Sequence, residues 1–358
     1  VLVGLALVGA KKCLDLVSVL IMVPSSNFFV SNLISNHVVY YNINSTFGVL
    51  FNLGYMLVII FVFEIVFGII IILNFNVDSL GLASTYYSNV FNMVDMNYMF
   101  FFRSGHAFGA SFCHCFLLLH IFKYMLFSDS IVRNYNVLLS GIVIYCLSII
   151  ASFLGYVIVS GQLSLWGSIV IINVLTMLSN IDTLLLGNYY VSTNVLTRFM
   201  ILHMLVALII VVLIVIHFFF LHTVGSSSVT GSYSSSSIRV NMWSHIVLKD
   251  NAWMIFFVVV PFLLVMSLNV FILSDAENSL PADDVVTPLH IIPEWYLLHF
   301  YCLLKCVPAV YVGYSCMVLL VMFIFSNNIT VLNNPIVVVL FMLSVILMFV
   351  IGLQLPND

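Results

Sequence analysis

Apolar positions fall in long blocks along most of this chain, and the blocks set its elements. Such runs cover Val49–Leu73, Met99–Phe127, Leu138–Val159, Thr197–Leu221 and Ala252–Leu273, with two shorter ones at Val310–Phe325 and Ile336–Leu353. About 20 apolar residues in a helix cross the hydrocarbon of a bilayer, so the pattern predicts about seven crossings. Pro261 in the fifth run does not exclude a helix there, because membrane helices re-satisfy freed backbone groups locally. Ser160–Asn194 is also apolar, but Gly161, Gly167, Asn173, Asn180 and Gly187 interrupt it. That pattern predicts short helices lying at the interface. Polar connections separate the runs: a loop with Asp78 and Asp95, the serine-rich Gly225–Ser237 and the acidic Ser274–Thr287. His290–Val307 is mixed. The fold class is therefore all-α integral membrane. A surface segment (1–48) precedes a four-helix bundle (49–222), and further helices follow (223–358).

Composition removes the alternatives to a membrane protein. The chain is 63% hydrophobic and 6% charged, against roughly 25% charged in a soluble domain, so it cannot clothe a surface facing water. A net charge of −4 with nine Lys and Arg leaves no basic face for nucleic acid. The seven cysteines form no CxxC or CxxCH unit, which argues against covalent haem, structural zinc and a disulfide framework. Charge also orients the chain. The N-terminus and the loops after spans two and four carry Lys11, Lys12, Lys123, Arg133, Arg239 and Lys249 against three acids, whereas the other side has Arg103, Arg198 and Lys305 against eight. The positive-inside rule places the N-terminus inside.

Candidate chemistry lies in the second and fourth spans. His106 and His120 are fourteen residues apart, and so are His203 and His217. Fourteen residues advance a helix by ~21 Å and return to within ~40° of the same face. A single intramembrane histidine is as readily a hydrogen-bonded packing residue; two pairs at one interval are not explained that way. In an up-down bundle spans two and four run parallel, so His106 faces His203 near the outer side and His120 faces His217 near the inner side. Each facing pair can supply both axial ligands of a haem. Gly54 and Gly68, and Gly141 and Gly155, repeat the interval on spans one and three. Small residues also serve ordinary helix packing, but the shared fourteen points to close approach of backbone to two stacked, non-covalent b-type haems. Arg103 and Lys123 are candidates for haem propionates, or equally for interfacial anchors.

With Gly155-Tyr156, Trp166-Gly167, Thr197-Arg198-Phe199 and above all Pro293-Glu294-Trp295-Tyr296, the chain resembles cytochrome b, the di-haem subunit of respiratory complex III (ubiquinol–cytochrome c reductase). The likeness runs from about Leu14 to Gln354. It implies bifurcated quinol oxidation at an outer site, electron transfer through two haems, and quinone reduction at an inner site. The resemblance implies Glu294 as proton acceptor from ubiquinol, with Tyr296 beside it. Tyr156, Gly167, Pro293 and Tyr301 would line the outer site or its approach. At the inner site it implies His222, Ser226, Asp250 and Lys249. Implied partners are a Rieske iron–sulfur protein, cytochrome c1, other complex III subunits and a second copy of the complex. The implied location is the mitochondrial inner membrane with the N-terminus on the matrix side, or alternatively a bacterial plasma membrane.

Three departures accompany the likeness. Val159-Ser160-Gly161-Gln162 stands where the family usually has Pro-Trp-Gly-Gln, which predicts a looser outer wall. The family usually has an eighth helix after these spans; the expectation here is that it is absent or that a partner supplies its surface. Glu64 stands where a neutral amide is common, one turn before Gly68, and is expected to be protonated or hydrogen-bonded because a bare carboxylate there is costly. Two other readings compete: a haem-free transporter with histidine-lined sites, and a di-haem anchor of another quinone oxidoreductase. The second gives no reason for Pro293–Tyr296 or the acidic loop.

Overall fold

The computed structural model describes residues 41–44, 52–127, 131–176, 186–187, 190–225, 239–241, 248–268, 275–306 and 335–354. The chain divides into two compact units, Val1–Ser45 with Ser236–Lys249, and Thr46–Ser235 with Asp250–Asp358. In the smaller unit β1 (Asn42–Asn44) pairs antiparallel with β2 (Arg239–Asn241), Asn42 opposite Asn241 and Asn44 opposite Arg239. These strands of three residues are the one non-helical regular element among the described residues, and the sequence pattern does not foretell them.

In the larger unit α1 (Leu53–Ile72) leads through a short turn to α2 (Leu82–Asp95) and α3 (Met99–Phe127). Then follow α4 (Ile131–Ile158), α5 (Gln162–Thr176) and α6 (Thr193–Val224). Further on, α7 (Leu248–Met254), whose first two residues belong to the smaller unit, is followed without a break in sequence by a π turn (Ile255–Val259) and α8 (Val260–Leu268). Last come α9 (Leu298–Cys306) and α10 (Pro335–Gln354). Among the described residues, five helical segments are long and apolar enough to cross a membrane: Leu53–Ile72, Met99–Phe127, Tyr135–Ile158, Thr193–Val224 and Asp250–Ser267. They coincide with the first five apolar runs. The seventh run forms α10, and the sixth, Val310–Phe325, lies outside the described residues.

The main packing partners are α4 with α6 and α1 with α3. One buried cluster joins Leu53, Met56, Leu57 and Ile60 of α1 to Cys113, Phe116 and Leu117 of α3. A second joins Leu154, Val157 and Ile158 of α4 to Leu165 of α5 and to Val195, Leu196 and Phe199 of α6. On the opposite face of α6, Leu205, Leu208, Val212 and Val215 are exposed. Apolar residues on both faces suit a helix packed on one side and bathed in lipid on the other.

Two local features differ from the expected pattern. The connection between spans one and two is not a plain loop, because it contains α2. That helix is set up by Asp78, whose carboxylate accepts from the Leu80 N–H (3.0 Å) and from the Ser84 hydroxyl. These bonds hold the Asp78 carboxyl below its ordinary range. Thr85, fully buried, bonds the Gly81 carbonyl at 3.0 Å. Pro261 is accommodated by the π turn just before it, where the Val260 N–H bonds the Ile255 carbonyl. Widening the ladder by one residue relieves the lost donor and the ring clash of an internal proline.

Candidate functional site

The rings of His106 (α3) and His203 (α6) have centroids 6.1 Å apart at 85°, and those of His120 and His217 lie 6.5 Å apart at 66°. First residue pairs with first and second with second, so α3 and α6 run parallel with the pairs at two depths. A metal–imidazole bond is about 2 Å long, so two rings flanking one metal have centroids roughly 6 Å apart. Both gaps fit that arrangement.

The four glycines account for the ring positions. A Cβ built on Gly68 would lie 3.3 Å from Cε1 of His106, and one on Gly155 would lie 2.9 Å from Cε1 of His203. At the other depth, Gly54 faces His120 and Gly141 faces His217, each at 3.2 Å. Each glycine thus makes room for one imidazole. Neighbouring acceptors hold the Nδ1 atoms on α6. His203 Nδ1 donates to the Ala151 carbonyl at 2.7 Å, and His217 Nδ1 pairs with the Ser140 hydroxyl at 2.9 Å. Occupied at Nδ1, both rings keep Nε2 available to a ligand. On α3, Arg103 precedes His106 by one turn, and Lys123 follows His120 at the other end and interacts with it electrostatically.

The second grouping surrounds Pro293–Tyr296. Glu294 is the N-cap of a one-turn 3₁₀ helix, Trp295–Leu297, with extended backbone. Burial first, and Asp275 second, push its carboxyl up to about 7. Tyr156 and the buried Tyr296 lie within electrostatic reach of it. A Cβ at Gly167 would meet nothing within 4 Å among the described residues, so that position is open. Tyr301 lies on α9 with the Lys305 ammonium 5.9 Å from its ring centroid.

Where Val159-Ser160 leads to the expectation of a looser outer wall, hydrogen bonds tie this segment to its neighbours. Ser160 takes a left-handed conformation (φ 61°), its hydroxyl donates to Leu82 O at 2.8 Å, and its carbonyl accepts from the Ala282 N–H at 3.2 Å. Gln162 bonds the Leu280 carbonyl through its backbone N–H (2.9 Å), the Val286 carbonyl through Nε2 (2.5 Å) and the Asp283 N–H through Oε1 (2.7 Å). Asn278 Oδ1 accepts from both N–H and hydroxyl of Ser164, at 2.9 and 3.0 Å. The acidic segment is thereby tied to the start of α5.

At the far end, Asp250 is buried near the start of the fifth span. Its neighbour Asn251 accepts from the Tyr55 hydroxyl at 2.6 Å, next to Gly54 on α1. His222, in the last turn of α6, meets Phe218 edge-on at 5.7 Å. Lys249 is the second residue of α7, and Ser226 lies outside the described residues.

Two histidines that spacing did not single out are also buried. The His114 ring stacks on Tyr296 at 4.2 Å and its Nδ1 bonds the Ala110 carbonyl at 2.9 Å, while His299 Nε2 stands 3.4 Å from the Tyr145 hydroxyl. Neither belongs to a pair at a regular interval, so helical periodicity carries no signal for them.

Helices of membrane length around two facing imidazole pairs define a class: helical-bundle membrane proteins whose paired histidines can hold a metal-bound macrocycle. The family described as Cytochrome b/b6/petB matches residues 38–225, and its C-terminal counterpart, Cytochrome b(C-terminal)/b6/petD, matches 281–358. The chain belongs to the cytochrome b family. It is 34% identical to cytochrome b of Toxoplasma gondii over 278 residues, covering 76% of this chain and 72% of that one. Against cytochrome b of Plasmodium chabaudi it is 29% identical over 352 residues, 93% of this chain and 90% of the other. A solved chain titled "Hyperthermophilic respiratory Complex III" shares the fold, with a TM-score of 0.82 at 23% identity over 93% of this chain and 91% of that one.

Proposed function

We propose that this chain is the quinol-oxidising and electron-transferring subunit of ubiquinol–cytochrome c reductase, in the mitochondrial inner membrane with its N-terminus on the matrix side. The observation that carries the proposal is the double imidazole gap, 6.1 and 6.5 Å at two depths of one bundle. His106 with His203 would hold one b-type haem and His120 with His217 a second. Arg103 would neutralise the propionates of the first and Lys123 those of the second. When bound, the two haems supply one-electron carriers at two depths of the membrane. Partners by family are the Rieske iron–sulfur protein, cytochrome c1, other complex III subunits and a second copy of the complex.

The chain's own residues handle the substrate and its protons. Glu294 takes a proton from a ubiquinol hydroxyl at the outer site. Tyr156, Pro293, Tyr296 and Tyr301 shape that site, and Gly167 leaves its approach open. Ubiquinol loses two electrons and two protons in becoming quinone. One electron goes to the iron–sulfur partner and the other enters the bundle on the His106–His203 side. His222 and Asp250 receive quinone on the other face, where reduction takes up protons; Lys249 and Ser226 are assigned to that task by the family resemblance alone. Sites on opposite faces are required because moving one charge against 100 mV costs about 2.3 kcal/mol.

The test is the pH profile of quinol oxidation by the intact complex. Glu294 acts as base only when ionised, and its carboxyl sits at about 7. The rate is therefore expected to fall as pH drops through about 7. A rate flat across that window contradicts the assignment. Stability carries the opposite sign. Native Glu294 holds its proton to higher pH than the ordinary value of 4.5, so its contribution weakens as pH rises from that value to about 7.

Gly155→Ala tests the outer centre separately. The new methyl would stand 2.9 Å from Cε1 and 3.3 Å from Nδ1 of His203, displacing the ring from Ala151. Reduced outer haem content in a difference spectrum, with the inner haem unchanged, is expected. Full occupancy with unshifted bands contradicts the ring's placement.

A further inference from the structure

Glu64 is the acidic side chain inside the first span, and the proposed reaction leaves it without a task. Glu64 Oε2 stands 3.0 Å from Nδ1 of His106. That nitrogen is buried and makes no aligned hydrogen bond, so the Glu64 side chain is the acceptor the structure sets beside it. The other oxygen, Oε1, occupies the space a Cβ would fill at Gly109, one turn along α3 from His106. Gly109 on one helix and Glu64 on another thus form a fitted seat beside the ring. Neutral groups, a backbone carbonyl and a hydroxyl, face Nδ1 of His203 and His217. Among these three rings, only that of His106 faces a carboxylate.

We infer that Glu64 is a positioning residue for the outer centre, orienting His106 through Nδ1 and making its Nε2 a stronger donor to the haem iron. The inference rests on the proposed ligation by His106. A carboxylate opposite Nδ1 of a metal-bound imidazole fixes its tautomer and raises its basicity. A more basic axial ligand favours the oxidised metal, so the outer haem is harder to reduce than it would be with a neutral partner. This acts at the centre that receives the electron from quinol, and it widens the gap in potential between the outer and inner centres. Gly109 follows as part of the device, because any side chain there displaces the carboxylate.

The experiment is a potentiometric titration of the b-type haems in membranes carrying the full complex, comparing the natural chain with Glu64→Gln and Glu64→Leu. Haem content is read from the same spectra. Two haems in the natural chain test the ligation itself, independently of Glu64. Both variants are expected to make the outer haem about tenfold easier to reduce, about 59 mV for one electron, with the inner haem unmoved. Glu64→Asp should restore part of the difference. An unchanged outer potential overturns the inference, as does an equal shift of both haems, which is the mark of a general structural change. Loss of the outer haem from both Gln and Leu variants also overturns it, because the carboxylate is then a structural prop.

Discussion

Glu294→Gln is expected to slow quinol oxidation by about 10²-fold, the lower end of what a positioned general base contributes, while both haem bands persist. Glutamine keeps the shape and the acceptor oxygen of the N-cap residue but cannot take a proton at any working pH. The 3₁₀ turn it begins, Trp295–Leu297, is anchored by the Leu297 N–H to the Glu294 carbonyl at 2.8 Å, a backbone bond the variant retains. Tyr296, buried and stacked on His114, stays in place. The loss should therefore appear in turnover and not in haem content, and the fall in rate below about pH 7 should vanish with it. Steady-state rates with a soluble quinol check this, and unchanged turnover would remove Glu294 from the mechanism.

The second large effect is expected from His120→Ala: the inner haem is lost and the outer one is retained. His120 and His217 stand fourteen residues along their helices from His106 and His203, a rise of ~21 Å, and sites that far apart respond independently. Gly54 and Gly141 line the inner rings, whereas Gly68 and Gly155 line the outer ones, so the substitution leaves the outer seat untouched. Quinol oxidation should slow sharply, because the chain would then lack the His120–His217 pair that would hold the second carrier. Loss of the outer haem instead would overturn the pairing of the histidines.

The parts of the fold legible in the sequence are those that a simple repeat or length governs. Bilayer thickness demands about twenty apolar residues, and the first five spans follow from that alone. Helical geometry returns residue i+14 to nearly the same face, and the rings and glycines meet at the depths their intervals imply. What escaped detection depends on contacts between distant segments. The bonds of Gln162 to Leu280, Asp283 and Val286 tie the acidic segment to α5, and no local pattern announces a partner over 100 residues away. Helix α2 begins on the side-chain bonds of Asp78 and Thr85, in a stretch whose acids at each end read as a loop. His114 and His299 carry no sequence signal, because each is a lone histidine whose tyrosine neighbour comes from another helical segment. Glu64 stood out as a charge in a span, but its seat over Gly109 needed two helices to be seen together.

The central claim is that two bis-histidine haems sit at two depths of this bundle. A reduced-minus-oxidised difference spectrum of the isolated complex, titrated against potential, tests it most directly. The account predicts two b-type haems per chain that reduce in separate steps. One haem, or none, would contradict it.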